Sequence, residues 1–195
     1  MKLRYLLISF SLLFFAADVD AQLGLGIKGG SNISNIKEFG PSKSFDWNIL
    51  TSFYIGAFAD YALSDRLSVR AEGIYSFEGG EFEDAGGIRK VEINYINLPI
   101  LLRLDLIHGI CLDAGIEPGI VLEKDDFYVD KDTEFGVLFG GGFQLGDRWS
   151  FNLRYVQGIS SIYDINNTDV NGDPIGETNG KTRLWQVGAE FAIFR

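Results

Sequence analysis

Eight segments of alternating apolar and polar residues, joined by connections that run long, short, long, short, long, short, long, predict an all-β chain. The architecture they fit is an eight-stranded antiparallel up-and-down transmembrane β-barrel, in which short turns lie at one rim and long loops at the other. The segments cover residues 23–34, 51–61, 67–78, 91–104, 110–122, 134–145, 149–162 and 182–194. The short joins are 62–66, 105–109 and 146–148; the others are polar or rich in glycine. At 11–14 residues the segments exceed an average soluble strand of about five or six, and suffice for the ~9–11 needed to cross a bilayer at a tilt. An even strand number puts both chain ends at the short-turn rim.

Taken in order, the first segment has Gly24, Gly26, Lys28 and Gly30 on its polar phase. In the third, Leu67, Val69, Ala71, Gly73, Tyr75 and Phe77 share one face, opposed by Ser68, Arg70, Glu72, Ile74 and Ser76. The fourth is less regular: Ile96, Leu98, Ile100, Leu102 and Leu104 alternate with Asn97, Pro99, Leu101 and Arg103. The fifth sets Leu112, Ala114, Ile116 and Ile120 against Asp113, Gly115, Glu117 and Gly119, with Pro118 on the apolar phase. Lacking an N–H, Pro118 is expected at a bulge or near a rim. The sixth carries Gly136, Gly140 and Gly142 on its polar phase. The seventh opposes Trp149, Phe151, Leu153 and Tyr155 to Ser150, Asn152, Arg154 and Val156. The eighth opposes Trp185, Val187, Ala189, Phe191 and Ile193 to Gln186, Gly188 and Glu190.

Nine charges fall on the polar phase: Lys28, Asp60, Arg70, Glu72, Arg103, Asp113, Glu117, Arg154 and Glu190, four positive and five negative. Facing lipid, each would cost up to about 2–4 kcal/mol near the midplane. Together they would rival the ~5–15 kcal/mol stability of a whole domain. In a membrane the polar phase must face inward, and these nine residues are expected to form a barrel-interior charge network. A soluble sandwich also has one apolar and one polar face. The membrane reading is favoured by the polar-phase glycines, which leave room for long charged side chains. It is also favoured by Tyr61, Tyr75, Phe77, Phe135, Trp149 and Trp185, placed as interfacial girdles.

Residues 1–21 read as a signal peptide: Lys2 and Arg4, an apolar stretch over 6–17, then Val19-Asp20-Ala21 before Gln22. The stretch is short of the ~20 residues that cross a bilayer. The mature domain is therefore expected to be 22–195, exported to the bacterial outer membrane. Cys111 is the single cysteine, so no internal disulfide can form. A net charge of −10 argues against nucleic acid as a partner. Much of the acidity falls in the expected loops: Glu78, Glu81, Glu83, Asp84; Glu123, Asp125, Asp126, Asp130, Asp132; and Asp164, Asp169, Asp173, Glu177. A solvated loop surface accounts for it.

Two stretches resemble a known family. Gly26-Ile27-Lys28-Gly29-Gly30-Ser31-Asn32 resembles the opening of the PorT-like outer-membrane β-barrel proteins of Bacteroidota. Tyr95-Ile96-Asn97-Leu98-Pro99-Ile100-Leu101-Leu102 resembles that family's central strand. The resemblance covers essentially the whole mature chain. It implies an eight-stranded OmpA/OmpX-like barrel in the outer membrane and carries over no catalytic residue; some relatives are associated with protein secretion at the cell surface.

The residues offer little chemistry. The one histidine, His108, falls in the short turn 105–109, at the rim away from the long loops. Asp113 and Glu117 share a phase about 13 Å apart, far for paired acid and base, and suit salt bridges with Arg70, Arg103 and Arg154 better. Asp169-Val170-Asn171-Gly172-Asp173 resembles the start of a calcium loop, yet Gly180 stands where a bidentate glutamate belongs. No catalytic, metal or cofactor site is assigned and no cofactor is expected. The expectation is a non-enzymatic barrel with a plugged or narrow interior, since eight strands enclose just enough space for side chains to fill. Its role would be envelope integrity, surface interaction or help to a secretion machine. Its partners would be outer-membrane lipid and, through the long loops, surface or secretion-machinery proteins. A narrow porin-like channel and an outer-rim enzyme are the alternatives.

Overall fold

Alternating segments form ladders wherever like faces can lie side by side. The computed structural model, which describes residues 23–41, 46–84, 87–124, 131–168 and 174–194, is built of such ladders. Its strands are β1 (Leu23–Phe39), β2 (Trp47–Asn48), β3 (Leu50–Ala62), β4 (Leu67–Asp84), β5 (Gly87–Asn97) and β6 (Ile100–Asp105). The remainder are β7 (Ile110–Glu123), β8 (Thr133–Leu145), β9 (Trp149–Gly158), β10 (Tyr163–Thr168) and β11 (Pro174–Phe194). Eight staves stand in antiparallel order: β1, β3, β4, β5 with β6, β7, β8, β9 and β11. The ring closes because β1 pairs with β11 from Leu25↔Phe194 to Phe39↔Asn179. Closure leaves the staves without a free edge, which is what a bilayer demands of a sheet.

The short connections lie at one rim, where His108 (φ 58), Gly109 (φ 77) and Gly146 (φ 70) turn the chain in the left-handed region. At the other rim the structure corrects the expectation of open loops. The β4–β5 ladder continues to Asp84↔Gly87, and β10 pairs with β11 from Tyr163↔Gly180 to Thr168↔Pro174. Backbone groups past the membrane thus find ladder partners. Glu78, Glu81, Glu83 and Asp84 lie on β4 rather than in a loop. The segment expected over 149–162 ends early, at Gly158, and a separate strand, β10, takes up the pairing with β11 from Tyr163. Pro118 marks no bulge: Asn97↔Gly119 and Ile100↔Ile116 keep one register across it. There Leu98 donates to the Pro118 carbonyl at 2.8 Å, and the return bond is simply missing. The signal peptide expected over 1–21 and the calcium-like stretch 169–173 lie outside the described residues.

The two phases separate cleanly. On β4, Arg70, Glu72, Ile74, Ser76 and Glu78 are buried while Ala71 and Gly73 are exposed. The outer wall shows Ile27, Ile55, Leu102, Ile116, Phe139, Leu153 and Val187 about half exposed. Toward the long-connection rim the pattern inverts. Ile36, Phe82, Val91, Ile93 and Tyr95 turn inward, and Lys37, Glu83, Lys90 and Glu92 turn outward. That is how a sheet standing in water sorts its faces, whereas polar-in, apolar-out below it is the order of a sheet in lipid. On β1 and β11 the change takes one step, between the pairs Ile33↔Trp185 and Asn35↔Arg183.

Candidate functional site: the packed barrel interior

Starting near the short turns, β3, β4, β6, β7, β9 and β11 each aim a charged side chain inward, as strand alternation requires. Arg70 grips Asp60 with two bonds of 2.6 and 2.7 Å and reaches both Glu190 oxygens at 2.8 Å. Its guanidinium lies 4.0 Å from the Phe58 ring centre, and a side chain at Gly26 would overlap that ring. Arg103 holds Asp113 through two bonds of 2.8 Å and approaches Glu190 at 3.4 Å. Arg154 holds Glu72 through bonds of 2.6 and 2.7 Å and touches Asp113 at 3.2 Å. From β1, Lys28 adds a 2.8 Å bond to Glu72. Gly140 stands opposite Arg154, where a Cβ would meet the arginine stem. Paired, forked bonds of this kind offset the desolvation that isolated buried charges would suffer.

Eight of the nine charges picked out from the sequence meet here: Lys28, Asp60, Arg70, Glu72, Arg103, Asp113, Arg154 and Glu190. Four positive and four negative, they form a neutral group. Glu117 does not join them. One cross-strand row, Leu101, Gly115, Leu138, Val156 and Leu184, puts four apolar side chains between Asp113 and Glu117. Those four form an apolar cluster of their own. Among the described residues Glu117 has no ion pair, and its Oε2 is buried without a hydrogen-bond partner.

Above that row Glu117 lines a cavity of only about 10 Å³ with Glu78 and Glu134. Glu78 accepts from Ser76 at 2.7 Å and Asn97 at 2.8 Å. Glu134 accepts from Tyr95 at 2.8 Å and from the Thr182 hydroxyl. Among the described residues no three His, Cys, Asp or Glu side chains are grouped to hold a metal ion. The long-connection end is stoppered by Ile36, Phe82, Val91, Ile93, Tyr95, Ile162 and Tyr163. Trp47 caps them, edge-on to Phe82 at 5.2 Å between ring centres. Outside the stopper Lys131 bonds Asp164 at 2.6 Å and, with Ser161, holds that carboxyl below its usual range.

Sequence reading missed this stopper and the inward Glu78. The signal was the phase switch in the fourth segment, where apolar residues run Val91, Ile93, Tyr95 and then Ile96, Leu98, Ile100. His108 lies in the β6–β7 turn, at the rim away from the stopper.

By sequence, residues 15–164 match the family described as outer membrane protein beta-barrel domain. Two solved structures share the fold. OprG of Pseudomonas aeruginosa is 14% identical with a TM-score of 0.52, over 90% of this chain and 97% of that one. Ail, the attachment invasion locus protein of Yersinia pestis, solved with the heparin analogue sucrose octasulfate, is 14% identical. Its TM-score is 0.51, over 88% of this chain and 99% of that one. No curated protein matches the chain.

Proposed function

This chain belongs to the outer membrane protein beta-barrel domain family, and from that premise we propose a non-enzymatic outer-membrane barrel whose interior is closed to solute flow. The observation that carries the reading is the filled interior. A neutral charge group, an apolar row, a carboxyl layer and an apolar stopper follow one another, and the cavity beside Glu78, Glu117 and Glu134 and the one beside Asp60 and Arg70 measure only about 10 Å³ each. Such a cavity is near the lower limit for one water molecule. Function then resides on the outside: envelope integrity, surface contacts through the long-connection rim, or assistance to a secretion machine. The PorT-like motifs favour the last of these. Residues 1–21 would be cleaved on export, leaving a 22–195 domain with both ends in the periplasm.

Planar-bilayer recording of purified protein tests this. The expected trace shows no discrete steady openings; regular unitary steps would establish the narrow channel instead. The rim-enzyme alternative gains nothing from His108, which lies far along the chain fold from the long-connection rim.

A further inference from the structure

Where β1 and β11 leave the apolar zone, their outward residues pair as Ile33↔Trp185, Asn35↔Arg183 and Lys37↔Lys181. Two lysines thus face each other directly across a ladder, an arrangement that repels unless an anion lies between. Both ammonium groups lie over one ring, Phe39, at 5.6 and 5.9 Å from its centre. One pair lower, the Arg183 Nε is buried without a hydrogen-bond partner. Among the described residues, Lys37, Lys181 and Arg183 form no ion pair. Other cations of this rim do: Lys90 with Glu81, Lys124 with Asp132 and Lys131 with Asp164. In a chain of net charge −10, three neighbouring cations without an ion pair among the described residues stand out.

A groove of about 560 Å³ opens beside them. Lys37 and Arg183 line it above, Ile33, Tyr155 and Trp185 below. Asp46 and Glu38 are its acids; the Glu38 carboxyl accepts from Tyr163 at 2.7 Å, leaving Asp46 as the exposed one. The groove therefore spans the level at which the outer wall changes from apolar to polar. An amphiphile with an anionic head and hydrocarbon chains matches it in both charge and depth. We propose that Lys37, Lys181 and Arg183 bind the phosphate of a phosphorylated lipid headgroup in the leaflet at the long-connection rim. The lipid chains descend over Ile33, Tyr155 and Trp185. The inference rests on the membrane placement above and not on whether the barrel conducts.

The test reconstitutes the full mature protein in phosphatidylcholine nanodiscs doped with bisphosphorylated lipid A or with its dephosphorylated counterpart. Lipid retained after transfer to mild detergent is counted by native mass spectrometry. The wild type is expected to retain the phosphorylated lipid selectively, and K37Q/K181Q/R183Q to retain roughly tenfold less or lower still. K90Q/K124Q/K131Q, with the same charge change, is expected to match the wild type. Heat-modifiable gel mobility confirms that each variant is folded, and K181Q alone serves if the triple variant is not. Equal retention by the triple variant, or of the dephosphorylated lipid, overturns the site. Displacement of the lipid by equimolar inorganic phosphate overturns the lipid assignment in favour of a free-anion site. Conductance in the wild type would sink the closed-barrel reading while leaving these outcomes readable.

Discussion

Arg154 on β9 and Glu72 on β4, 82 positions apart in sequence, meet across the barrel interior through parallel hydrogen bonds of 2.6 and 2.7 Å. Both side chains are fully sealed from solvent. A pair of that kind is costly to break from one side, because the surviving charge has no water to turn to.

R154M is therefore expected to lose about 3–5 kcal/mol of stability, since Glu72, Asp113 and Glu190 all lose a cation. Urea unfolding in lipid vesicles, followed by the mobility of unheated samples on a gel, reads the loss. Removing both partners in E72M/R154M is expected to restore about half of it or more, although Lys28 is then left with Glu190 alone at 3.8 Å. A double variant as weak as R154M would mean that the pair is not what the arginine stabilises.

Glu117 predicts the opposite behaviour. Its carboxyl is buried without a cation among the described residues, beside Glu78 and Glu134. E117Q keeps the shape and removes a carboxyl that no described cation pairs with, so stability should rise or stay within about 0.5 kcal/mol. E72Q, at a paired position, should cost more than about 2 kcal/mol in the same assay. A larger loss from E117Q than from E72Q would place Glu117 in the network after all.

The difference between these two glutamates shows what sequence alone reveals. Strand phase put Glu72 and Glu117 on the same inner wall, because period-two alternation depends only on local geometry. It put nine charges there as one network, without separating Glu117 from the eight that meet. Which inward charges meet depends on stagger between staves and on Leu101, Leu138, Val156 and Leu184 coming into one row, a long-range relation with no local trace. The stopper was hidden for a different reason. One rule, polar inward, was applied along the whole strand, yet the surrounding solvent changes partway up. Past Ile33 and Trp185 apolar side chains have only the interior in which to escape water.

Glycine placement offers a sharper check of the packing. A Cβ at Gly140 would press on the Arg154 stem and on the Leu153 carbonyl, whereas one at Gly73 meets nothing within 4 Å. G140A is expected to cost about 1–3 kcal/mol through overpacking, and G73A to be neutral within about 0.5 kcal/mol. The same unfolding midpoints decide it. Equal effects at the two positions would show that the interior has slack.

The solvent assignment of the two faces can be read from the chain's three tryptophans. Trp149 and Trp185 stand on the outer wall, 51% and 47% exposed, whereas Trp47 is half-buried, packed edge-on to Phe82 on top of the stopper. Three single-tryptophan variants, with the other two changed to phenylalanine, go into vesicles of lipid brominated on its acyl chains. Quenching should be several-fold stronger for Trp149 and Trp185 than for Trp47. Because Ile33↔Trp185 is the last apolar pair below Asn35↔Arg183, Trp185 lies shallow. Bromines near the headgroup should quench it better than bromines near the chain ends. Unquenched Trp149 and Trp185 would mean that the apolar wall faces water. Deep quenching of Trp185 would move the membrane boundary past Lys37 and Lys181, where two ammonium groups could not remain without an anion.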